Sequence, residues 1–121
     1  MIIHGKERGF RRTVWASVEI AKICPGRDID KLPDLLRQDH ASAMETTAKL
    51  ISILINADEK AREYEEPGYK ADLISADELL MLPDSIFKEV EEEAMKLYNA
   101  DSQTTVEVEN DSKKNGEEPR E

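Results

Sequence analysis

The side chains that could do chemistry in this chain are few and far apart. His4 and His40 stand 36 positions from each other, and neither has an acid or the lone Cys24 at metal-ligand spacing. Histidine acts as an acid–base group when a partner positions it; without one, surface or capping roles fit both better. Ser17, Ser42, Ser52, Ser75 and Ser85 fall within or at the start of expected helices, outside any turn that would present a nucleophile. Gly5 and Gly9 flank a turn and open no helix, so they form no phosphate loop. Glu91, Glu92 and Glu93 suggest a cation site, but consecutive helix positions diverge by about 100° and cannot converge on one ion. They read as a solvated face. Arg8, Arg11 and Arg12 could meet phosphate, yet shielding a strand edge or facing the protein's own acidic helices accounts for them more simply. The expectation is a chain with no catalytic residue, no metal ligand and no cofactor.

Elements must still position what remains. The 121 residues suffice for one domain that buries roughly two-thirds of the surface its unfolded chain exposes. Residues 1–12 carry a net charge of +3 and the last 22 residues, 100–121, carry −4, so the remainder holds −9 of the total −10. Such a surface repels phosphates and anionic lipid, and neither nucleic acid nor a membrane is an expected partner. A single cysteine permits no intrachain disulfide and suits a reducing cytoplasm. No apolar run has the length of a signal peptide or of a membrane span.

The hydrophobic pattern predicts a mainly α fold: a small helical bundle around a long central helix, with a short N-terminal β-hairpin. Met1 to His4 is a short apolar run, Gly5 and Lys6 supply a turn, and residues 7–12 alternate around Phe10. Thr13 can cap a first helix whose apolar positions are Val14, Val18, Ala21, Ile20 and Ile23, with Pro25 and Gly26 closing it. A short helix over 30–37 takes Pro33 in its first turn. The longest helix runs from Asp39 to about Tyr64; residues 50–55 are apolar nearly all round, the mark of burial on several sides. Beyond Asn56 it turns charged, so its last turns should project into solvent. Ser75 with Glu78 forms a capping box, Pro83 separates two helices, and the final helix reaches about Asn99 on an inner stripe of Phe87, Val90, Ala94, Leu97 and Tyr98.

Residues 1–99 thus read as a helical domain with an N-terminal hairpin, and 100–121 as a flexible, disordered acidic tail. The tail has only Val106 and Val108 as sizeable apolar side chains, too few to offset an ordering entropy of about 1–2 kcal/mol per residue. These valines alternate with Glu107 and Glu109, a pattern a partner could capture as an added strand. Trp15, Tyr64 and Tyr69 are the other candidate anchors. Aromatic residues are scarce here, and the loop after the long helix can present both tyrosines. Trp15 also suits packing against the core or the hairpin.

With helices and tail in place, the chain resembles the tail assembly chaperones of long-tailed (siphophage-type) phages and prophages of Gram-positive bacteria. The resemblance spans residues 2–115 loosely. It is carried by Ile3-His4-Gly5-Lys6-Glu7 with Phe10, by Thr13-Val14 with Ala16, Ile20 and Ala21, and by Lys49-Leu50-Ile51 leading to Tyr64. Leu73-Ile74-Ser75-Ala76-Asp77-Glu78-Leu79-Leu80-Met81-Leu82-Pro83 before a closing amphipathic helix completes it. Lys113-Lys114-Asn115 can be encoded by the adenine-rich heptamer on which ribosomes slip, and such chaperones are often extended by a frameshift. The resemblance implies a non-catalytic protein of the bacterial host's cytoplasm that binds the tape measure protein, shields its long hydrophobic helices and helps recruit tail-tube protein; self-association is also compatible with it. A head–tail connector or minor virion component, and a small acidic antitoxin-like regulator, are the alternatives.

Overall fold

A computed structural model describes residues 1–111, with side chains as far as Ala100. Two strands, β1 (Ile2–Ile3) and β2 (Lys6–Glu7), pair antiparallel with Ile2 opposite Glu7 and Ile3 opposite Lys6. His4 and Gly5 make the turn with φ of 51° and 80°, the two successive left-handed residues that match a hairpin to the natural twist of its strands. The turn lies one residue earlier than the expected Gly5-Lys6. The hairpin is also shorter than the alternation to Arg12 suggests. After Glu7 the chain leaves the ladder and crosses the long helix, where the Arg11 N–H donates to the Leu54 carbonyl at 3.0 Å.

Helix α1 (Val14–Lys22) starts at Thr13, whose hydroxyl accepts from the Ala16 N–H at 3.1 Å. Two single turns of 3-10 helix, Pro25–Arg27 and Ile29–Lys31, lead into α2 (Leu32–Leu36) with its expected proline in the first turn. Helix α3 (His40–Glu65) is capped by Asp39, which accepts from the Ser42 N–H at 3.0 Å. Helix α4 (Ala76–Leu80) opens on the full capping box of Ser75 and Glu78. Helix α5 (Asp84–Asp111) closes the described chain.

Helix α3 is the axis of the bundle: α1, α2, α4 and α5 all pack on it. Residues 50–55 are buried without exception, as an apolar belt facing neighbours on several sides must be. Ile3 from the hairpin, Ala16 and Ile20 from α1, Leu32 from α2, Leu79 from α4 and Phe87, Val90 and Ala94 from α5 join the same buried cluster. Two strands of two residues are not stable alone; the buried Ile3 side chain anchors the hairpin on the core.

Helices α1 and α5 also depart from the sequence reading. Val14 and Val18, expected inside by their spacing, are 82% and 48% exposed. The apolar stripe of α1 is wider than its contact with α3, and Ala16 and Ile20 take the buried edge. The backbone of α5 continues to Asp111, past Asn99 where the apolar pattern stops; no glycine or proline interrupts the chain between Pro83 and Gly116. The expected tail therefore falls partly on this backbone and partly on residues 112–121, which lie outside the described residues. No helix among the described residues is long and apolar enough to cross a membrane.

Candidate functional site

The C-terminal half of α3 carries two contrasting environments, one on each side of the helix. The first is a buried ionic clasp. Asp58 and Glu59, expected in solvent at the charged end of α3, are 6% and 0% exposed. What buries them is the segment after β2, which brings basic side chains from about fifty positions earlier in the chain. Arg8, itself buried, places Nη1 3.8 Å from Glu59 Oε2, and Lys6 Nζ lies 3.7 Å from Oε1. Glu59 Oε1 also accepts from the Tyr69 hydroxyl at 2.6 Å and from the Asp72 N–H at 2.9 Å. Arg8 Nη1 donates to the Asp72 carbonyl, and Lys6 Nζ donates to the Asp72 carboxylate at 2.9 Å. Asp58 is held by Arg11 Nε at 3.2 Å and Arg62 Nε at 3.4 Å, while Arg11 Nη1 reaches Glu65 at 2.6 Å.

Burial alone would push the Glu59 carboxyl up; the Tyr69 hydroxyl, the Asp72 N–H, Lys6 and Arg8 together outweigh it and hold Glu59 below its ordinary range. The hydrogen bond and charge of Lys6 depress Asp72 in the same way. Carboxylates kept ionised by their own lysine and arginines are weak bases, so this cluster acts as a clamp fixing residues 6–11 and 69–74 to α3. Gly9 is part of the clamp. A Cβ built there would lie 2.8 Å from Asp58 Oδ2, so only glycine lets the backbone pass this close.

The second environment is an open groove of about 780 Å³ between the start of α1 and the last turns of α3. Ala57, Ala61 and Tyr64, spaced four and three apart, line one wall, and Val14 and Trp15 line the other. Lys60 Nζ sits 5.1 Å from the centroid of the Trp15 ring, within cation–π range. Glu63 and Glu65 stand at the rim. Tyr64 is 95% exposed and Trp15 37%. Val18, one turn beyond Val14, continues the apolar face of α1 outside the groove. Leu73, Leu80 and Met81 around α4 and Ile2 on the hairpin are exposed as well and do not line this groove.

Of the residues singled out in the sequence, Trp15 and Tyr64 come together in this groove. Tyr69 does not join them: it is half-buried with its hydroxyl on Glu59 and the Arg62 guanidinium 5.8 Å over its ring. Val106 and Val108 fall on the α5 backbone, and their side chains lie outside the description. Val14, Ala57, Lys60 and Ala61 were not singled out. Their signal was the repeat of small residues at 57 and 61 before Tyr64, matched by the second apolar edge of α1. His4 sits in the hairpin turn with Nε2 2.6 Å from the Glu78 carbonyl oxygen, and His40 is the exposed first residue of α3. Cys24 is buried with Sγ 3.3 Å from the Ile20 carbonyl oxygen, and burial raises its thiol above the ordinary range. No group of three His, Cys, Asp or Glu among the described residues could hold a metal ion.

The fold and groove define a mainly α bundle with an uncovered apolar recess on its central helix. No protein-family model, curated protein or solved structure matches the chain.

Proposed function

We propose that this protein is a tail assembly chaperone of a long-tailed phage or prophage, a non-catalytic factor that binds the tape measure protein and keeps it in solution in the host cytoplasm while the tail tube is recruited. The observation that carries the reading is the exposed apolar groove at Trp15 and Tyr64, on a molecule whose buried charges are neutralised from within. An apolar helix face that would aggregate on its own gains by entering such a recess. The net charge of −10 keeps the resulting complex apart from other complexes. The order of hairpin, capped helix, long axial helix and closing amphipathic helix is the one on which the resemblance to these chaperones rests.

Co-expression with a tape measure candidate sought among the flanking genes tests the proposal. The partner should move from the pellet to the supernatant and co-elute with this chain on size exclusion. Equal solubility of the partner with and without it, and no shared peak, would remove the chaperone reading and favour a connector or regulator. Retention of the chain in finished particles would likewise favour the connector.

A further inference from the structure

We infer that the groove at Trp15 and Tyr64 takes a single amphipathic helix carrying basic residues beside its apolar stripe. The inference rests on the non-catalytic, partner-binding reading above and specifies its occupant. Shape gives the first argument. Both walls are helical, with Val14 on one and Ala57, Ala61 and Tyr64 on the other at the four-and-three spacing that receives a helix ridge. None of the lining residues belongs to a strand, so an extended peptide finds no backbone ladder to join. A small molecule is the poorer fit because pockets for such ligands enclose most of the ligand, whereas Val14 and Tyr64 are 82% and 95% exposed.

Charge gives the second argument. The groove's cation, Lys60, already faces the Trp15 ring. Of the rim acids, Glu65 is engaged by Arg11, while Glu63 has no ion-pair partner among the described residues. The field of a chain with net charge −10 draws a cationic helix toward this rim and repels an acidic one, including a second copy of this chain. Small residues at the floor, Ala57 and Ala61, let the incoming backbone approach closely, and Trp15 and Tyr64 then close over its apolar stripe.

Trp15 is the sole tryptophan, so its emission reports the groove directly. The probes are two tryptophan-free designed helices of about 18 residues, long enough to populate helix on contact, one built of Leu and Lys and the other of Leu and Glu. The Leu/Lys helix should shift Trp15 emission to shorter wavelength and raise the anisotropy of its own label; the Leu/Glu helix should do neither. Tyr64→Ala should weaken binding at least about tenfold, as loss of an aromatic anchor does, and Glu63→Lys should weaken the Leu/Lys helix while admitting the Leu/Glu one. Both side chains are exposed, so folding is checked simply by unchanged far-ultraviolet dichroism. Binding without a change in Trp15 emission would place the peptide outside the groove and overturn the inference, as would equal binding of the two helices or wild-type affinity in Tyr64→Ala. Failure here with success of the co-expression test would remove this groove and leave the chaperone reading; the converse would remove the chaperone reading and leave a helix-binding groove.

Discussion

Asp58 and Glu59 are adjacent on α3 to Ala57 and Lys60, yet the two sides of these turns meet opposite environments. On one side, charged groups are buried under the N-terminal segment and matched by Lys6, Arg8, Arg11 and Arg62. On the other, apolar and aromatic groups stand open to solvent. Burying charge is expensive unless it is paired, and exposing a contiguous apolar face is unusual unless something covers it. Among the described residues, the clasp pairs its charges within the chain, with Arg8 Nε, Asp58 Oδ2 and Glu59 Oε2 left without a hydrogen-bond partner, whereas the groove is covered by nothing. On the proposal above, stability belongs to the first side and partner contact to the second, and each half can be broken separately.

Of the two sides, the clasp should show the larger effect on stability. Glu59→Gln should cost about 3 kcal/mol of unfolding free energy in urea, because it leaves Arg8 buried beside a neutral group; Asp72 still faces Arg8 and limits the loss. A cost below half a kcal/mol would show the clasp to be ornamental. For scale, Leu54→Ala at the fully buried centre of α3 should cost about 2–5 kcal/mol. Gly9→Ala should cost about 1–3 kcal/mol, since its methyl group must displace the buried Asp58 carboxylate from its two arginines.

Acid should act on the same side. The folded state holds Glu59 below its unfolded value, so its contribution is present above about pH 4.3, the ordinary glutamate value, and is lost as pH falls through the lower folded value. Stability measured from neutral pH downward should therefore fall in that window, and Glu59→Gln should flatten the fall. Asp72 and Asp39, also depressed, keep part of the slope in the variant. An identical slope in both proteins would detach Glu59 from the clasp.

How much of this was readable in advance follows from the range of the interactions. The belt at 50–55, the caps at Thr13, Asp39 and Ser75, and the stripe of α5 at Phe87, Val90, Ala94 and Tyr98 are local signals that appear where their patterns predict. Leu97, by contrast, is only half-buried, and Met95 packs on the core in its stead. The burial of Asp58 and Glu59 was not legible, because it depends on arginines nearly fifty residues away and on Gly9 admitting the backbone. The groove was half legible. Trp15 and Tyr64 stood out by rarity, but Val14 and Val18 looked like core because periodicity gives the width of an apolar stripe and not which edge a neighbour covers. Tyr69 resembled Tyr64 in the sequence, and its hydroxyl bond to Glu59 separates the two.

The smallest stability effects should come from the groove. Tyr64→Ala and Val14→Ser should each change the unfolding free energy by no more than about half a kcal/mol, as exposed positions do. That neutrality makes the double variant Val14→Ser/Tyr64→Ala the sharpest instrument available. It should unfold at the wild-type urea midpoint and yet, co-expressed with the partner proposed above, leave that partner in the pellet, where the proposal has the wild-type chain keep it soluble. A double variant that holds the partner in solution as well as the wild type does would contradict the assignment of partner contact to this side of α3.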